Sequence, residues 1–202
     1  MPKRIVVNQC CGVIIDVQDF FLSQLEARLR SNIAMNTANL IRLLGYFKIP
    51  VVATFERPLD FKGLLPELLG ECFGDLPSGL GTSFEKDFFD LTKESKIKSH
   101  LAKLKKKQMI VAGCETDVCV LQSCLGLLEI GYEVYAVEEL LFSSARNVEA
   151  AKARLQAEGV VFLSFKTLYF ELLEAVGESR HADKMLKTYG PFPDDFPEAA
   201  VD

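Results

Sequence analysis

The stretch Gln108-Met109-Ile110-Val111-Ala112-Gly113-Cys114-Glu115-Thr116-Asp117-Val118-Cys119-Val120 passes from an apolar run into a helical pattern within a few residues. That transition is the mark of a strand whose carboxyl end feeds a helix, the repeating step of an α/β fold. It also puts Cys119 near the start of a helix. Unpaired amides and the positive end of the helix dipole there favour a thiolate and can cradle an oxyanion.

Working outward, short apolar runs alternate with longer segments of helical period. Strands are predicted at Cys11 to Asp16, Pro50 to Phe55, Gln108 to Gly113, Glu133 to Val137 and Val160 to Phe165. Helices are predicted at Asn32 to Phe47, Thr92 to Lys105, Asp117 to Ile130 and Ser144 to Glu158, with Gly131 and Gly159 placed to end two of them in a left-handed conformation. The pattern implies a three-layer α/β/α architecture around a mostly parallel, Rossmann-like sheet of about six strands. Arg57 to Lys86 breaks the period with Pro58, Pro66, Pro77 and several glycines, and reads as a long loop whose leucines favour a packed lid. Residues 1–188 are expected to form one domain, followed by a Pro-rich acidic tail at residues 189–202.

With 202 residues, 49% hydrophobic content and net charge −5, the chain can bury a sizeable core but has no general attraction for a polyanion. The basic run Lys103 to Lys107 lacks aromatic partners and reads as a solvated helix face, so no nucleic-acid partner is expected. No run is long enough for a membrane span, and the start of the chain does not read as an export signal, because Asn8, Gln9 and Asp16 interrupt it. Six cysteines, including the adjacent Cys10 and Cys11 in an apolar run, fit reduced thiols and a cytoplasmic location better than a disulfide framework.

Three reactive side chains stand at places a parallel sheet would bring together at its carboxyl edge: Asp16, Lys86 and Cys119. Asp16 ends an apolar run, which is costly for a carboxylate without a partner or a task, and a cap or structural ion pair is the plainer reading. Lys86 lies between Phe84 and Phe88, and such lysines are commonly just exposed. Cys114, Cys119 and Cys124 lack the paired spacing or nearby histidines of a zinc site.

Asp16-Val17-Gln18-Asp19-Phe20-Phe21, Phe84-Glu85-Lys86 and Gly113 to Val120 together resemble three ordered motifs of the isochorismatase-like cysteine hydrolases, a family that includes nicotinamidases, carbamoyl-sarcosine amidases and ureidoacrylate amidases. The resemblance implies Cys119 as nucleophile, Asp16 as general base and acid, and Lys86 as the cation that lowers the thiol pKa. It also implies an oxyanion hole from the amides of Glu115 and Cys119, a cis peptide between Cys114 and Glu115, and a substrate pocket involving Gln18, Phe21, Phe84 and Glu56. Nicotinamidases in the family carry two histidines after the second strand. This chain reads Thr54-Phe55-Glu56-Arg57-Pro58-Leu59-Asp60-Phe61 there, so no metal and no other cofactor is expected. The expected activity is hydrolysis of a small amide or other C–N bond in a homo-oligomer. A thiol has no part in cleaving the vinyl ether of isochorismate. The alternative is a non-catalytic oligomeric interaction protein on the same fold, and a remoter one is a redox pair of Cys114 with Cys119.

Overall fold

The computed structural model describes residues 4–174. The elements run β1 (Cys10–Ile15), α1 (Asp19–Ser23), α2 (Ala27–Tyr46), β2 (Val51–Glu56), α3 (Leu59–Lys62), α4 (Glu67–Gly74) and β3 (Gly81–Lys86) in the first half. The second half runs α5 (Ser95–Leu104), β4 (Gln108–Gly113), α6 (Leu121–Glu129), β5 (Glu133–Leu141), α7 (Glu149–Ala157), β6 (Val161–Leu163) and α8 (Phe165–Leu173).

The six strands form one sheet in the order β3-β2-β1-β4-β5-β6, and every pairing is parallel. Strands covered on both faces read as unbroken apolar runs, and every residue of β1 and β4 is buried. Alternate side chains divide into two cores: Ile14, Ala53 and Ile110 pack against α2, α4 and α8. Val13, Val52 and Val111 pack against α5, α6 and α7 on the other face. Gly131 and Gly159 close α6 and α7 at φ +92° and +104°, as the sequence pattern requires. Among the described residues no helix is long and apolar enough to cross a membrane.

The segment read as a loop is structured: it holds α3, α4 and β3. Strand β3 escaped detection because it is an edge strand, Gly-Thr-Ser-Phe-Glu-Lys, whose outward residues Ser83 and Glu85 stay exposed. The apolar run after Val160 also divides, since Ser164 accepts a bond from Thr167 N and starts α8 at Phe165. The proposed tail, 189–202, lies outside the described residues.

The chain leaves β1 toward one edge and returns to lay β4 against β1's other side, so the carboxyl ends of β1 and β4 form the point where connections diverge. They approach closely because Gly113, at φ +131°, has no side chain: a Cβ there would lie 2.0 Å from Ile15 O. Gly113→Ala is therefore expected to cost about 3 kcal/mol or more in urea unfolding, a large share of an ordinary domain's stability. Gly131→Ala, which meets nothing within 4 Å, should cost only about 1 kcal/mol through its left-handed backbone.

Candidate active site

Each strand from the sheet's centre to its near edge delivers one polar group to the same crevice. Asp16 follows β1, Glu56 ends β2, Lys86 ends β3, and Cys119 follows β4 in a π-helical turn, Thr116–Val120, that leads into α6. Asp16 is a non-glycine residue at φ +51°, a conformation that surrounding bonds must hold. Its amide donates to Thr54 O at 3.1 Å, and its carbonyl accepts from Gln18 N at 2.8 Å and from the Cys114 thiol at 3.0 Å.

The side chains then close the cluster. Thr54 Oγ1 donates to Asp16 Oδ1 at 2.8 Å, and Lys86 Nζ lies 2.7 Å from Asp16 Oδ2. The same ammonium is 3.4 Å from Cys119 Sγ and 4.0 Å from Glu56 Oε2. Asp16 and Lys86 are fully buried and Cys119 keeps 2% exposure. Lys86 crosses from an edge strand, over β2, to a carboxylate at β1, about 10 Å away at two strand spacings. Only a long cationic side chain spans that gap.

Glu56 is more deeply involved than a pocket wall. Its Oε2 accepts from Cys119 Sγ at 3.0 Å while Oε1 is paired with Lys62 of α3. Gln18 holds it from behind. Its amide oxygen accepts from Glu56 N at 2.8 Å, and its amide nitrogen donates to Glu56 O at 3.2 Å and Gly63 O at 2.7 Å. Gln18 is thus fully buried, and its amide braces the main chain of Glu56. Phe21 lies beneath Lys62, whose ammonium is 5.6 Å from the ring centroid. Phe84 is elsewhere: it stacks edge-on with His100 and lines a cavity of about 720 Å³ beside the edge strand, whose lining includes none of Asp16, Lys86 or Cys119.

Opposed influences act on the sulfur. Lys86 does pull the Cys119 thiol toward ionisation, but burial, then the Asp16 charge, and the Glu56 contact outweigh it, and the thiol pKa is pushed up, not down. Charge counting explains why: Asp16 and Glu56 are matched by Lys86 and Lys62, so a thiolate would be an unmatched charge in a covered site. Burial likewise raises Asp16 despite Lys86, making it a better proton acceptor. Burial works against the Lys86 ammonium, yet Asp16 and the sulfur beside it hold its pKa above the ordinary value. Glu56 moves the other way: burial is outweighed by Lys62, Cys119 and Lys86, which keep it below 4.5.

One donor atom each from Asp16, Glu56 and Cys119 lie within 4.8 Å of one another, a spacing that could suit a cation. The Lys86 ammonium already takes that role, within 2.7 to 4.0 Å of all three. Behind the sulfur, the peptide from Cys114 to Glu115 is cis, and Glu115 N has no acceptor among the described residues. Glu115 O accepts from Val118 N and Val120 N, each at 3.0 Å, which fixes the turn that carries Cys119.

A model of the isochorismatase domain matches residues 10–166. The chain belongs to the isochorismatase family. Isochorismatase family protein 2A of Dictyostelium discoideum is 30% identical over 182 residues, which cover 87% of this chain and 88% of that protein. Among solved structures, the YcaC gene product of Escherichia coli, described as an octameric hydrolase of unknown specificity, superposes with TM-score 0.81 at 22% identity over 94% of this chain and 90% of its own. Nicotinamidase PncA of Bacillus subtilis superposes with TM-score 0.67 at 14% identity, over 77% and 99%. These structural likenesses establish the isochorismatase fold.

Sequence reasoning passed over Thr54, Lys62 and Ser123. Thr54 carried a signal, a hydroxyl inside an otherwise apolar, fully buried strand. Lys62 carried none, because it sits on a single helical turn after Pro58. Ser123 of α6 donates to Phe89 O at 3.0 Å and accepts from Leu91 N at 3.1 Å, tying the segment after Lys86 to the helix after Cys119.

Because the folded state holds Glu56 below its ordinary pKa, its pairing stabilises the protein above the unfolded value and is lost as pH falls through the folded one. Urea midpoints should therefore drop as pH falls below the ordinary glutamate value of about 4.3. Glu56→Gln should flatten that part of the curve.

Proposed function

We propose that this protein is a cysteine hydrolase of small amides or related C–N bonds, with Cys119 as nucleophile, Asp16 as proton carrier and Lys86 as the cation between them. One observation carries the reading: three buried groups from distant parts of the sequence meet, with Lys86 Nζ 2.7 Å from Asp16 and 3.4 Å from Sγ. A structural ion pair needs no nucleophile at its side. The family relationship supports the same reading.

The resting thiol is neutral and has to lose its proton as it attacks. Sγ adds to the substrate carbonyl, the proton passes to Asp16, and Lys86 keeps the site's charge balanced while it moves. The developing oxyanion is placed against the amides of Glu115 and Cys119, each such donor contributing about 2.7–4 kcal/mol in comparable sites. Asp16 then protonates the leaving nitrogen, the C–N bond breaks, and a thioester remains. Water, deprotonated by Asp16, releases the acid and restores the thiol. The substrate is small, since little of the sulfur is open, and Phe21 with Lys62 forms one wall of its approach. We extend the homo-oligomeric state of the octameric relative to this chain. The exposed Phe61, Leu64, Phe88 and Phe89 offer apolar contact area on the segments flanking the site.

The test uses p-nitrophenyl acetate, whose leaving group needs no proton. The protein should show a stoichiometric p-nitrophenolate burst and an acetyl group on the Cys119 peptide by mass spectrometry. Cys119→Ala should abolish both, and Asp16→Asn should slow turnover by about 10²–10⁴-fold. Acetylation no faster than that of N-acetylcysteine would sink the proposal and favour a non-catalytic interaction protein.

A further inference from the structure

The hydrolytic cycle leaves one group of the crevice without a task, the second carboxylate. Glu56 Oε2 accepts the thiol hydrogen bond at 3.0 Å, and its main chain is clamped at both N and O by Gln18. Its side chain keeps 13% exposure and that of Lys62 keeps 15%, whereas Asp16 and Lys86 have none. Of the charged groups around the sulfur, this pair is the one an incoming molecule meets.

The bond from Sγ to Glu56 lasts only while the thiol holds its proton. Once that proton moves to Asp16, Oε2 loses its donor, and the nearest ammonium not already bonded to Glu56, that of Lys86, stands 4.0 Å away. A half-buried carboxylate oxygen stripped of its donor is costly, so a substrate that replaces the bond is favoured over one that cannot. We propose that Glu56 is a specificity-determining residue that exchanges its thiol bond for an N–H of the substrate's leaving nitrogen, selecting amides whose leaving nitrogen bears a hydrogen over esters of the same shape. This rests on the cysteine-hydrolase reading.

The steps balance. The S–C bond forms as the thiol proton goes to Asp16, and the leaving nitrogen, already donating one N–H to Glu56, takes that proton. The nitrogen gains positive character beside an anionic oxygen, the C–N bond breaks, and ammonia or an amine departs. An ester oxygen in the same place turns lone pairs toward Oε2 and has no hydrogen to give. Lys62 is paired with the other carboxylate oxygen, Oε1, and so leaves Oε2 to this exchange.

By microscopic reversibility the same contact governs which nucleophile takes the acyl group. The protein is loaded with p-nitrophenyl acetate, and acetyl-Cys119 is then partitioned between hydroxylamine and methanol. Acetohydroxamate and methyl acetate are counted against the ratio for S-acetyl-N-acetylcysteine. The wild type should favour hydroxylamine by about tenfold or more beyond that reference. Glu56→Leu and the smaller Glu56→Ala, which carry no acceptor, should fall to within about twofold of it, while Lys62→Met, which keeps the carboxylate, should retain the preference. A wild-type ratio equal to the reference, or a preference unchanged in both Glu56 variants, overturns the inference. Failure to form acetyl-Cys119 at all, read before any acceptor is added, overturns the hydrolase reading and this inference with it.

Discussion

The organising constraint of this molecule is a buried ammonium. Lys86 is wholly covered, and removing an isolated cation from water is too costly for it to persist without matched charge. Its neighbours follow from that requirement. Asp16 supplies the counter-charge, Thr54 holds Asp16's other oxygen, and the close approach of Gly113 to Ile15 brings β4's end, and so the sulfur, alongside. Taking away one member of such a set leaves the others uncompensated, which is why the crevice is assembled from four adjacent strands and not from one loop.

The two faces of the sheet share this labour. The helices α5, α6 and α7 pack the face that carries the Cys119 turn, while α2, α4 and α8 cover the other. Ser123 bonds across from α6 to the segment after β3, so the elements bearing sulfur and ammonium are held to each other as well as to the sheet. Gly126 on the same helix lets that segment close in, since a Cβ there would meet Asp90 at 2.4 Å. The site is thereby built on rigid elements, with only α3 and its Lys62 contributed by a short surface turn.

Much of this was legible in the sequence, for definable reasons. Strands β1, β2 and β4 are sandwiched between helix layers and must be apolar throughout, so their runs stand out. Strand β3 is covered by one neighbour and carries Gly, Thr and Ser, so nothing in its composition separates it from a loop. Lys86 was found through its motif and not through the strand that positions it. The balance of influences on the thiol is illegible for a similar reason: a motif gives the lysine beside the sulfur but not the depth of burial or the second carboxylate at 3.0 Å. Gln18 was recognised as belonging to the site, yet its task of bracing Glu56 depends on where β2 and α3 end, which no local pattern states.

A covered, protonated sulfur has one further consequence. Peroxides and other oxidants attack thiolates that solvent can reach, and each step from sulfenic to sulfonic acid begins there. Cys119 offers neither the charge nor the access. A sulfur so placed is shielded from oxidation by the packing around it.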